Sequence, residues 1–98
     1  MKHYPTIPKE NIYYVPYNSY DDKKKELDNL QKKAVSIIEK ADKWKEVLIV
    51  DDNKGDYKHL LMIVVDNRQE RDYYLKSNKI TIKDIIYSIA KVIKWKIS

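Results

Sequence analysis

"EVLIVDDNKGDYKHLLMIVVD", residues 46–66, sets two apolar runs on either side of a polar stretch that holds Gly55, the only glycine in the chain. This arrangement predicts a β-hairpin with strands near residues 46–51 and 58–66, the glycine being suited to a positive φ in the turn. Side chains on a strand alternate between faces. Leu60, Met62 and Val64 therefore point one way and Leu61, Ile63 and Val65 the other, while Leu48 and Val50 oppose Val47 and Ile49 in the same manner. Neither face of the hairpin is polar, so each needs a cover.

Leaving a large apolar side chain in water forfeits roughly 1.5–3 kcal/mol. About five of them on one face come to the order of 10 kcal/mol, against roughly 5–15 kcal/mol for the stability of a whole domain. Three covers are available: helices on opposite faces, an N-terminal arm folded back, or a second copy of the chain. The leading expectation is a homodimer built on the second face of the hairpin. Its interface candidates are Leu48, Val50, Leu60, Met62 and Val64.

Working outward, "DDKKKELDNLQKKAVSIIEKADKW", residues 21–44, predicts a helix. Leu27, Leu30, Ala34, Ile37, Ala41 and Trp44 recur at spacings of three and four and form one apolar stripe. Asp21 and Asp22 suit the positive end of the helix dipole. The spacing also fits a short coiled-coil seam, but packing on the protein's own sheet is the preferred reading. Downstream, "RDYYLK", residues 71–76, predicts a third strand with Tyr73 and Leu75 on one face. The competing reading is a short helix from Asn67, because Asn67 with Glu70 resembles a capping box. The last element predicts a second helix. Thr81 is its candidate N-cap, with Asp84 three residues on, and Ile82, Ile85, Ile86, Ile89, Val92 and Ile93 supply its stripe.

The first twenty residues hold all three prolines and five of the nine tyrosines. They predict an extended arm, with "NIYYV" as an edge strand, since proline tolerates edges and not sheet centres. The expected whole is one domain over residues 1–98, an α+β fold of order (β)-α-β-β-(β)-α. In it, a small antiparallel sheet of three to four strands packs with two amphipathic helices.

Composition narrows the function classes. The chain has no cysteine, so disulfides and thiolate metal sites are excluded. No apolar segment follows the basic start "MKHYPTIPK", and the longest apolar run is far shorter than a membrane span. An intracellular, cytoplasmic protein with no membrane partner is expected. Charged residues make up 36% of the chain against roughly a quarter in ordinary proteins, and the net charge is +5. Residues 67–98 alone carry eight Lys and Arg against three acids, a surplus equal to that of the whole chain. An anionic partner would be sought there.

On the predicted last helix, Lys83, Tyr87, Lys91 and Lys94 share one stripe, with Lys76 and Lys79 before it and Trp95 beside its end. Basic groups interleaved with aromatics suit phosphate neutralisation and base stacking, so these seven residues are the nucleic-acid-binding candidates. The plain alternative is a solvated helix face. Arginine is scarce, and no helix-turn-helix, zinc-finger or RNP-type pattern appears. Asp51, Asp52, Asp56, His59 and Asp66 form an acidic group that a small metal-dependent nuclease would use, but Asp and Asn are ordinary hairpin-turn residues. No nucleophilic triad is visible, and no catalytic residue, metal ligand or cofactor is assigned. Tyr13, Tyr14 and Tyr17 in the arm are the candidates for contact with a protein partner.

In its wealth of Lys, Ile and Tyr and its lack of Cys, the composition resembles that of small accessory proteins of viruses and plasmids from AT-rich or thermophilic hosts. The leading expectation is accordingly a non-catalytic, homodimeric interaction protein that binds another macromolecule. DNA or RNA binding is the first alternative and a metal-dependent nuclease the second.

Overall fold

The hairpin forms. In a computed structural model that describes residues 7–54 and 56–91, β2 (Lys45–Lys54) and β3 (Tyr57–Val65) pair antiparallel, with Leu48 opposite Ile63 and Val50 opposite Leu61. Around them the chain runs β1 (Ile12–Pro16), α1 (Tyr20–Lys40), β2, β3, α2 (Arg68–Ser77) and β4 (Ile85–Lys91), with single 3₁₀ turns at Lys9–Asn11 and Ile82–Asp84. The four strands make one antiparallel sheet in the order β1-β3-β2-β4, so the protein is an α+β fold of two helices on a small sheet.

Both greasy faces are covered from within the chain. On one face Val47, Ile49, Leu60, Met62 and Val64 pack under Leu30, Ala34 and Ile38 of α1, with Tyr13, Val15, Leu27 and Ile37 around them. On the other, Leu48, Val50, Leu61, Ile63 and Val65 lie beneath Tyr74 of α2 together with Ile7, Ile12, Trp44, Ile80 and Ile85. One face thus has a single long helix, and the other a short helix plus segments that enter β1, β2 and β4. The five dimer candidates fall on both faces rather than one. Leu48 and Val50 belong with α2, Leu60, Met62 and Val64 with α1, and none is more than 3% exposed. The premise that a second copy must cover the hairpin is therefore removed.

Helix α1 starts at the N-cap Ser19, whose side chain accepts from the Asp22 backbone N–H at 3.2 Å. It ends at Lys40, short of the expected residue 44, because Ala41 is extended and the chain turns toward the sheet. Trp44 consequently leaves the α1 stripe and packs on the opposite face. The last carbonyls of α1 find a partner across the fold: Lys91 Nζ donates to Ala41 O at 2.5 Å and to Glu39 O at 3.4 Å.

Two segments exchange the roles expected of them. Residues 71–76 are helical, inside α2, and the capping signal at Asn67 explains why. Asn67 Oδ1 accepts from the Glu70 backbone N–H at 2.8 Å, and Glu70 Oε1 accepts from the Asp66 N–H at 3.5 Å. The helix closes in a Schellman motif, with Lys79 N–H donating to Lys76 O and Ile80 N–H to Leu75 O. Lys79 takes the left-handed position at φ 55°, where glycine is usual. Residues 85–91, expected as helix, form strand β4, and the capping pair at Thr81 and Asp84 holds only one 3₁₀ turn. Asp84 Oδ2 accepts from Thr81 N–H at 2.9 Å and from its hydroxyl at 3.2 Å. Isoleucine spacing in this segment satisfies a helical period, but β-branched side chains favour strands and β2 has an outer edge to pair. A register shift between Ile49 and Val50 lets Ile85 face the α2 side while Tyr87 and Ile89 face α1.

Candidate functional site

The two edges of the sheet differ in kind. β1 is five residues long, ends in Pro16 and follows a 3₁₀ turn that packs on β3. A proline lacks the N–H an added strand would need, so this edge is blunted. β4 is seven residues long and contains no proline or acidic residue. Its pairing with β2 runs from Lys45 opposite Lys91 to Val50 opposite Ile85, and among the described residues nothing pairs with its outer side. Along it the half-buried Ile85, Tyr87 and Ile89 alternate with the exposed Ile86, Ser88 and Ala90.

A groove runs beside this open edge on the α2 face. It is a cavity of about 560 Å³ between α2, the 82–84 turn and β4, with an apolar bed of Leu48, Leu75, Ile85 and Ile86. Ile82 lines it while remaining 88% exposed, the most exposed of the large apolar residues described. Small side chains make the room: Ser88 sits opposite Leu48, and Ala90 opposite Glu46. At that end Arg71 Nη1 donates to Glu46 Oε1 at 2.7 Å, and Arg71 Nε donates to Asp72 Oδ1 at 3.0 Å. Glu46 is only 9% exposed, so the guanidinium compensates a carboxylate that would otherwise be buried alone. The hydrogen bond Arg71 donates to Glu46 holds the Arg71 pKa above its ordinary value, against the smaller opposing effect of burial.

Lys76, Lys79 and Lys83 are neighbours of this region along the chain and do not line the groove. Lys76 follows the lining residue Leu75, Lys79 precedes Ile80, and Lys83 sits in the turn between Ile82 and Ile85. All three are exposed and none makes a side-chain hydrogen bond or ion pair with a described residue. Of the nearby acids Asp72 is paired with Arg71, while Asp84 accepts from the neutral Thr81.

The rest of the predicted basic stripe does not assemble. Tyr87 turns inward against the α1 core, Lys91 is tied to the end of α1, and Lys94 and Trp95 lie outside the described residues. The arm tyrosines do not make one contact surface either. Tyr13 packs on the α1 core with Lys33 Nζ 4.1 Å from its ring centroid. Tyr17 is buried and donates to Asp51 Oδ1 at 2.7 Å, while Lys23 holds the other Asp51 oxygen and lies over the Tyr17 ring. Burial first, then the hydrogen bond to Asp51, pushes the Tyr17 pKa up to about 12. Of the three candidates Tyr14 alone is largely exposed, at 64%, with its ring 5.3 Å from that of His59. Tyr74 also rises to about 12, through burial and then its neighbours Tyr14 and Asp52.

Strand alternation likewise separates the acidic group. Asp51 points to Tyr17 and Lys23, whereas Asp52 Oδ2 approaches His59 Nε2 at 3.1 Å, off the axis of a hydrogen bond. Asp66 is paired with Lys45 at 2.8 Å. Among the described residues no three His, Cys, Asp or Glu side chains are disposed to hold a metal ion. No helix among them is long and apolar enough to cross a membrane.

Fold and groove together define an α+β protein with one blunted sheet edge and one that no described residue pairs with. The chain matches no protein-family model, no curated protein and no solved structure. Sequence reasoning missed Glu46, Arg71, Leu75 and Ile82 as groove residues, and no local pattern marks them, since they come from three separate elements. Lys76, Lys79 and Lys83 were legible as a charge surplus.

Proposed function

We propose that the protein is a non-catalytic interaction module that takes an extended polypeptide segment of another macromolecule onto the outer side of β4. The observation that carries this reading is the contrast between the two edges, one stopped by Pro16 and the other a strand whose outer side no described residue pairs with, beside an apolar groove. In strand addition, main-chain hydrogen bonds supply the affinity, and pockets beside the edge select alternate side chains. The test is selection of peptides from a random library on the intact protein, followed by amide hydrogen exchange. Bound peptides should slow exchange at residues 85–91 and leave β1 unchanged. If every selected peptide protects another surface, the reading is wrong.

Nucleic-acid binding is the second reading, favoured by the exposed Lys76, Lys79 and Lys83. Its weakness is that Tyr87, the aromatic expected in the basic stripe, is half-buried against the α1 core.

A further inference from the structure

We infer that α2 is a lid: residues 67–80 lift from the sheet as one unit while the rest of the chain stays folded, and their closure forms the groove. This goes beyond the strand-addition reading and holds whether or not a segment is added to β4.

The two helices are secured very differently. α1 has 21 residues and sinks Leu30, Ala34 and Ile38 into the first cluster. α2 has ten residues, and none of them is buried. A helix this short is marginal by itself, so it stands only while its contacts with the sheet hold. Those contacts include Tyr74 on the second cluster, Leu75 in the groove and Arg71 bonded to Glu46, each of the three only half-buried. The bonds that shape the helix ends stay inside the segment: Asn67 caps Glu70, while Lys79 and Ile80 close on Lys76 and Leu75. They hold the helix together without fastening it to the sheet, which makes the segment a cooperative unit. On either side the chain is pinned, by Asp66 to Lys45 at 2.8 Å before it and by the pairing of β4 with β2 after it.

Opening has a defined consequence. Arg71, Asp72 and Leu75 are the α2 wall of the cavity, facing Leu48, Ile86 and Ser88 from the sheet. When α2 lifts, that wall leaves, and the second cluster loses Tyr74 and Ile80 from its cover. Ile7, Ile12, Trp44 and Ile85 belong to other segments and remain, so the sheet need not unfold. The lid therefore sets the fraction of molecules in which the groove exists.

Native-state amide hydrogen exchange on the full chain, at urea concentrations below the unfolding transition, tests this. Amides within α2 should exchange roughly a hundredfold or more faster than those of β2 and β3, once corrected for intrinsic rates. They should share one level of protection and respond little to urea, because the opening exposes little surface. Protection in α2 equal to that of β3, with the same urea slope, would mean that α2 leaves only when the whole chain unfolds, and the lid is refuted. Protection that declines residue by residue along α2 would refute it too, since that is fraying and not the opening of a unit.

Discussion

Replacing Ile63 by alanine tests whether the second face of the sheet is covered by the chain itself. Ile63 is 1% exposed, lies between Leu48 and Ile12 in the ladder, and belongs to the cluster roofed by Tyr74, Trp44, Ile7 and Ile80. The substitution removes the equivalent of about three CH₂ groups, about 2.4 kcal/mol in transfer free energy. The cavity left under a short helix and three connecting segments adds to this, and the total should be about 3–4 kcal/mol. That corresponds to a fall in Tm of roughly 12–30 °C, or a urea midpoint lowered by roughly 1–3 M. Equilibrium urea unfolding followed by tryptophan emission measures it. The decisive part is concentration. With the face shielded within one chain, the midpoint should stay constant over a hundredfold range of protein. A dimer sealed by that face would instead gain about 1.4 kcal/mol per tenfold increase. A loss below about 1 kcal/mol, or a concentration-dependent midpoint, refutes the account of the fold given above.

Arg71→Met should destabilise by about 2 kcal/mol because Glu46 loses its compensating charge, and adding Glu46→Gln should recover most of that loss; equal losses in both variants would mean the pair is uncoupled. Lys79→Gly should raise stability by about 0.5–1 kcal/mol, since glycine takes the left-handed position without the Cβ clash; calorimetry showing a lower Tm would contradict the Schellman closure. Tyr17 and Tyr74, with folded pKa values near 12, keep their protons where the unfolded chain loses them. The native state therefore binds more protons in that window, so the tyrosine contribution to stability is complete below about pH 10 and falls as pH rises from 10 to 12. Ultraviolet titration should show a late phenolate step that shrinks in Tyr17→Phe, and an unchanged step would place the Tyr17 hydroxyl outside its buried pair with Asp51.

Much of this architecture was legible in the sequence because its signals are local. The spacing of Leu27, Leu30 and Ala34 behind Asp21 and Asp22 specifies α1 through contacts within a few residues, and two apolar runs flanking a polar stretch specify the hairpin. The demand that both hairpin faces be covered also followed from alternation alone. What remained undecided was which segments would meet it. Ile82, Ile85, Ile86 and Ile89 fit a helical stripe, and only pairing with β2, some forty residues away, turned Ile85–Lys91 into a strand. That choice took Tyr87 and Lys91 out of the basic stripe and left β4 as an open edge. The groove is tertiary for the same reason: Glu46, Arg71 and Ile85 have no common period, and they meet because the sheet order brings β4 beside β2 beneath α2. Helix periods and caps are short-range and can be read along a chain, whereas edges and grooves depend on which strand ends up unpaired, which distant contacts decide.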